Sequence, residues 1–308
     1  MKNSVLVVGS VALDDIETVS GSRNDVVGGS AVYFSFAGSF FSNVRLVGVA
    51  GDDFPKKTIK KMESRNIDTQ GLQIQKGKTF KWGGKYHDDM NGRDTLYTHL
   101  NVFENFSPEI PAKFKETPYI FLGNIQPDLQ LKVLEQVENP KFIALDTMNL
   151  WINEKKEDLL KVISKVDLIA INQTELTDLT DEDNLIKGIK YLHENLKVKY
   201  IIIKIGEYGS YLSYSSDEKT KHALFFSPSF PVPFTVDPTG AGDCFAGGFM
   251  GYLAQTDQHS FQDMKKALVY GNIMGSFCVQ DFSIGKLLET KNEDIECRYK
   301  TLRKLVTI

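Results

Sequence analysis

The stretch "VDPTGAGDCFAGGFMGYLAQ", residues 236–255, joins a turn to a helix and sets a carboxylate at the junction. Pro238 and Gly240 are turn residues, and from Ala241 onward Phe245, Phe249, Tyr252 and Leu253 recur at helical spacing. A helix therefore begins near Gly240. The N–H groups of a first helical turn have no partner inside the helix, and the aligned peptide dipoles add partial positive charge there. Glycines let a ligand approach those groups closely, so this helix start suits a phosphate. Asp243 would repel that anion unless it handles a proton beside it. Read alone, Asp243 is better explained as a complement to the helix dipole, with the glycines serving close packing.

Composition bounds the alternatives. A chain of 308 residues with 42% hydrophobic content can bury a substantial core, as one large α/β domain or two modest ones. A formal charge of −4 gives no pull toward nucleic acid or anionic membrane, so neither is expected as a partner. Cys244, Cys278 and Cys297 are far apart and lack CxxC spacing, which argues for reduced thiols. The opening "MKNSVLVVGS" enters a strand at once, with an apolar run too short for a signal peptide or a membrane span. A cytoplasmic protein is expected, in which the sequons at Asn105 and Asn172 carry no meaning.

Outward from the opening stretch, strand and helix patterns alternate. Residues 5–10, 44–51, 119–124, 141–147, 167–173 and 200–206 are apolar on both faces. Helical patterns fall between them at 30–41, 54–65, 128–136, 154–162 and 184–194. The alternation predicts a parallel sheet with helices on both faces. Residues 78–103 differ: they alternate polar with aromatic or β-branched residues, with turn signals at Gly83–Gly84 and Asn91–Gly92, as in a solvated hairpin. With the polar, turn-rich segment 15–27 they predict a small lid sheet, from about 15–27 and 78–104, on one domain spanning 1–308.

Several motifs fail on their own terms. A dinucleotide fingerprint after the first strand would need glycines where Val11 and Asp14 stand. "GLQIQKGKT" has five residues between Gly71 and Gly77, where a phosphate-binding P-loop has four. In "YHDDM", His87, Asp88 and Asp89 are strand neighbours that point to alternate faces, so a shared metal is not expected.

What remains is a distributed, ordered set. "GG" at Gly28–Gly29 precedes a helix of small and aromatic residues, "NQTE" places Asn172 and Glu175 after a strand, "KIGEYG" runs from Lys204 to Gly209, and "DPTGAGD" closes the series. This set resembles the PfkB, or ribokinase-like, carbohydrate kinases across nearly the whole chain. "DPTGAGD" is similar to the family's C-terminal signature, "NQTE" to its NxxE element, "KIGEYG" to its GxxG turn and "NGRDT" to its lid strand. "GSVALDDI" matches the N-terminal strand end where the family's aspartate grips substrate hydroxyls, which puts Asp14 there, at the end of the first strand.

The resemblance implies a ribokinase-like three-layer α/β/α fold with a mainly parallel central sheet and a small β lid. It implies ATP-dependent phosphorylation of a hydroxymethyl group on a sugar or sugar-like substrate. By that analogy Asp243 takes the proton, while Gly240, Ala241 and Gly242 stabilise the transferred phosphoryl. Asp14, Gly28, Gly29 and Tyr33 would line the substrate pocket. Asn172, Glu175, Lys204, Gly206, Gly209 and Asn272 would serve ATP and Mg²⁺, with Glu175 reaching the metal through water. Taken alone, "NQTE" is a helix capping box. A homodimer paired through the lid also fits the resemblance. Tyr33 stands where many sugar kinases carry asparagine, "DTMNLW" departs from the common Asp–Pro–Asn, leaving Asp146 and Asn149 unassigned, and "VQDFSIG" is bulky where potassium-binding relatives are small. A nucleoside kinase is the near alternative, since aromatic faces stack on bases. A silent sugar- or nucleotide-binding protein and a dinucleotide-dependent oxidoreductase are the others.

Overall fold

The computed structural model describes residues 3–216 and 222–306, so Met1 and Lys2 of the opening strand lie outside it. Its strands are β1 (Ser4–Val8), β2 (Ala12–Thr18), β3 (Gly21–Gly28), β4 (Asn43–Gly51), β5 (Ile67–Gln75), β6 (Phe80–Tyr86), β7 (Arg93–His99), β8 (Tyr119–Leu122), β9 (Phe142–Asp146), β10 (Leu168–Asn172), β11 (Tyr200–Lys204), β12 (Ser210–Ser215) and β13 (His222–Ser227). Its helices are α1 (Ser30–Gly38), α2 (Lys56–Glu63), α3 (Pro127–Leu134), α4 (Asn149–Glu154), α5 (Lys156–Ile163), α6 (Gln173–Thr180), α7 (Leu185–Asn195), α8 (Ala241–Thr256), α9 (Phe261–Cys278), α10 (Gly285–Glu289) and α11 (Asn292–Val306).

Nine strands form the central sheet in the order β13-β12-β11-β10-β9-β8-β1-β4-β5. From β11 to β5 the pairing is parallel, and β12 and β13 add an antiparallel edge. The continuous apolar runs follow from burial on both faces. In β1, Val5 and Val7 join the core under α1, α8 and α9, while Leu6 and Val8 join the core under α3, α5 and α7. Gly247 and Gly248 bring α8 close to α1 and α9, where a Cβ would overlap Phe34 O and Met274.

The second sheet, β3-β2-β6-β7, stands over the C-terminal ends of the central strands. Three residues, 9–11, separate β1 from β2, so the chain passes from the central sheet into the lid at once. Ser10 fastens that link to the start of α1: its Oγ accepts from Ser30 N at 3.0 Å, and its N–H donates to Ser30 Oγ at 3.1 Å.

Three sequence expectations change. Asp14 is not at the end of the first strand, which stops at Val8; it belongs to lid strand β2. Gly83–Gly84 is not a turn but an irregularity inside β6, where the rings of Tyr97 and Trp82 cover the two glycines and leave no room for side chains. The helix expected at 154–162 is broken at Lys155, whose φ of −135° separates α4 from α5.

Candidate active site

Parallel strands present their C-terminal ends along one edge, and this edge carries the polar residues. Asp146 ends β9, Asn172 ends β10 and Lys204 ends β11, with Asn172 and Lys204 directly paired in register. The Nζ of Lys204 lies 3.0 Å from Asp146 Oδ1. A Cβ added to Gly242 would sit 3.3 Å from the same Nζ, so the start of α8 rests on this ion pair.

Gly240 caps α8 with φ of +76°, a conformation that glycine adopts without penalty, and the Tyr33 ring packs directly against it. The turn ahead of it is fixed by Asp237, which accepts from Thr239 N at 2.9 Å and Ser283 N at 3.2 Å. Asp243 follows in the first turn of α8. Burial and the neighbouring Asp146 push its carboxyl up to about 7, against the pull of Lys204 and Arg93. Lys204 stays above its ordinary range: burial works the other way, and Asp146 and Glu175 outweigh it.

Asn172 and Glu175 form a reciprocal capping box at α6. Asn172 Oδ1 accepts from Glu175 N at 2.8 Å, and Glu175 Oε2 accepts from Asn172 N at 2.8 Å. Burial pushes Glu175 up to about 7, opposed by Lys204 and assisted by Asp146. Both residues nevertheless line the cleft, so the cap holds a carboxylate at its wall.

The lid supplies the opposite wall. Asp14 is buried, and Gly28 lies so close to it that a Cβ there would overlap Asp14 Oδ2. Burial and then Asp237 push Asp14 up to about 8, against a hydrogen bond from the Trp82 backbone. Asp15 turns outward, accepting from Tyr97 Oη and from Asp25 N at 2.7 Å, beside Lys81 at 3.1 Å. Gly29, at φ of +97°, caps α1 and brings Tyr33 to the floor of the cleft.

Of these residues, Asp14, Gly29, Tyr33, Arg93, Asp146, Asn172, Glu175, Lys204, Gly240, Gly242 and Asp243 line one cleft of about 1780 Å³, larger than the roughly 300–1,000 Å³ common for single small ligands, whereas Gly28, Asp15 and Asp237 do not. Gly206 and Gly209 bracket the short turn after β11, at φ of +60° and +120°, along the same wall. Asn272 lines the cleft as well. Its Oδ1 accepts from Ser210 Oγ at 3.1 Å and its Nδ2 donates to Ser227 O at 3.2 Å, so it also ties α9 to the sheet edge. Sequence reasoning gave no role to Asp146 or Arg93. Asp146 carries the same signal as Asn172, a polar residue ending an apolar strand. Arg93, on β7, reaches the cleft with its guanidinium 5.8 Å from the Trp82 ring centre.

The profile of the pfkB family of carbohydrate kinases matches residues 2–291. This chain belongs to that family. A cytidine kinase of Thermococcus kodakarensis is 30% identical over 254 residues, covering 80% of this chain and 88% of that protein. Two solved structures share the fold. A fructokinase double mutant of Vibrio cholerae O395, with fructose, ADP and potassium bound, aligns with a TM-score of 0.78 at 15% identity, over 96% of this chain and 98% of its own. A nucleoside kinase of Burkholderia thailandensis with inosine aligns at 0.75 and 17% identity, over 97% of this chain and 98% of its own. The ribokinase-like α/β architecture expected from the sequence is thereby found. Among the described residues, no helix is long and apolar enough to cross a membrane.

Proposed function

We propose that this pfkB-family kinase transfers the γ-phosphoryl group of ATP to a hydroxymethyl group, on a free sugar or on the sugar of a nucleoside. The observation that carries the reading is Asp243: a carboxyl pushed up to about 7, in the first turn of an anion-suited helix start, beside Lys204. A base poised near neutrality is matched to taking a proton from an alcohol as it attacks. The acceptor oxygen bonds to the γ-phosphorus, the bond to the β–γ bridging oxygen breaks, the proton goes to Asp243, and ADP departs.

The other residues position and compensate charge, which is most of what phosphoryl transfer asks of a protein. The N–H groups at Gly240 and Gly242 would face the phosphoryl oxygens, with Ala241 between them holding the turn by donating to Pro238 O at 3.2 Å. Lys204 and the lid's Arg93 oppose the negative charge that builds there. Asp14 accepts hydrogen bonds from acceptor hydroxyls, and Tyr33 forms the floor. The turn between Gly206 and Gly209 borders the nucleotide. The hard oxygen donors at the Asp146–Asn172–Glu175 edge fit Mg²⁺, since Glu175 Oε1 is left over once Oε2 takes the capping N–H. Bound there through water, the ion would neutralise charge on the ATP phosphates.

The test is ADP release from ATP by the purified protein with pentoses, hexoses, sugar phosphates and nucleosides as acceptors. Acceptor-dependent ADP release, with a phosphorylated hydroxymethyl product, is expected. Absence of turnover with every acceptor would leave a binding protein instead.

A further inference from the structure

The C-terminal helix α11 reaches the back of the cleft wall through one side chain, Arg298. Its guanidinium lies over two rings, 3.5 Å from the centre of Phe277 and 4.7 Å from the centre of Phe230. Nη1 donates to Ser276 Oγ at 2.6 Å and Nη2 donates to Gln280 Oε1, at the end of α9 and just beyond it. Ser276 Oγ in turn donates to Ile273 O at 2.6 Å, so the guanidinium is held in a fixed place against α9. A planar fork that stacks on rings while its edge makes hydrogen bonds is what arginine, and not lysine, supplies.

Phe230 is the ring that separates two spaces. On one side lies the cleft, and on the other a cavity of about 420 Å³ lined by Arg298, Phe277 and Gln280. The segment that carries it, residues 228–235, forms neither helix nor strand, and Pro228, Pro231 and Pro233 have no N–H with which to fasten it. Its fastenings come before the ring: Ser229 N donates to Tyr208 O at 3.3 Å, and Asn272 Nδ2 donates to Pro228 O at 3.4 Å. These contacts seat the segment on the turn between Gly206 and Gly209, where a Cβ at Gly209 would overlap the backbone of Pro228 and Ser229. With a cavity behind it, the ring has room to swing out of the cleft wall. The guanidinium over its face opposes that swing.

We infer that Arg298 is a positioning residue for ATP, holding Phe230 as the cleft wall at the nucleotide end. Arg298 itself does not line the cleft, so it acts through the ring. The inference rests on the kinase reading above, in which the turn between Gly206 and Gly209 borders the nucleotide, and deepens it.

Equilibrium titration with ATP and with ADP, alongside steady-state kinetics, tests it in the wild type, Arg298→Met, Arg298→Lys, Phe230→Leu and the double variant Phe230→Leu with Arg298→Met. Arg298→Met keeps an unbranched stem and loses the charge. It is expected to weaken both nucleotides by roughly 3-fold to 30-fold, the range of one cation–π contact, with the acceptor's KM unchanged. Arg298→Lys, which keeps a charge near the rings, should lose less. In the double variant Arg298→Met should add nothing to the loss caused by Phe230→Leu, because the ring through which it acts is gone. Unchanged nucleotide affinity in Arg298→Met, an equal rise in the acceptor's KM, or full additivity in the double variant would each overturn the inference. So would a lower melting temperature with wild-type nucleotide affinity, the signature of a purely structural role. Should Arg298→Met not fold, Arg298→Gln, which removes the charge and keeps a hydrogen-bonding group, is read in its place by the same criteria. Turnover with no acceptor would overturn the kinase reading alone, since the titrations need no acceptor, and a wild type that binds no ATP would overturn both.

Discussion

The ring of Tyr33 fills the space that a side chain at position 240 would need, while Gly240 holds φ at +76° to turn the chain into α8. The two residues come from opposite ends of the sequence, and each fixes the other. Replacing Gly240 by alanine therefore adds steric overlap to a strained backbone. Gly240→Ala is expected to lose about 1–3 kcal/mol of stability in urea denaturation and most of its turnover. Gly240→Ala with Tyr33→Ala should regain part of the stability and none of the rate. Full stability in the single variant would show that the ring yields freely.

Asp243 sets the expected pH dependence. With its carboxyl pushed up to about 7, kcat/KM should rise with pH through that region as the base loses its proton. Lys204 pulls this value down, so Lys204→Met should move the acid limb to higher pH, and Asp243→Asn should cut turnover by about 100-fold to 10,000-fold. A limb that stays in place or moves to lower pH in Lys204→Met would detach the lysine from the base.

The capping box separates two roles of "NQTE". Glutamine can replace glutamate in the box, so Glu175→Gln should keep the melting temperature while raising the Mg²⁺ concentration for half-maximal rate. Asn172→Ala removes the cap itself and should cost about 1 kcal/mol of stability. Unchanged magnesium dependence in Glu175→Gln would confine the motif to capping.

Asp14 ties substrate recognition to a stability cost. Its carboxyl is pushed from 3.8 up to about 8 by burial, so between those values the folded chain holds a proton that the unfolded chain releases. Its contribution is complete at low pH and is lost as pH rises toward 8, at up to about 1.4 kcal/mol per unit from this one group. Asp14→Asn does not titrate. Its stability relative to wild type should therefore grow from pH 5 to pH 8 in paired denaturation curves, while the acceptor's KM rises strongly. A constant stability difference would mean that Asp14 is already charged in the folded protein.

The central sheet was legible because burial on both faces leaves uninterrupted Val, Ile and Leu runs, and the start of α8 because Pro238, Gly240 and the apolar spacing agree. Gly83–Gly84 misled because a glycine pair marks either a turn or a strand over which aromatic rings fold back, and local sequence does not distinguish them. Asp14 was assigned to the wrong strand because the link at residues 9–11 is too short to interrupt the pattern. The bonds from Asn272 to Ser210 and Ser227, far away in the sequence, were likewise invisible in it.

The passage from β1 into β2 means that Asp14 belongs to the lid, whereas Asp243 is anchored in the body. A polyol that touches both would join the two parts as a strut and draw the roof down over the phosphoryl group. In the proposed kinase this arrangement would guard ATP against idle hydrolysis, because the molecule that receives the phosphoryl group is also the one that closes the chamber.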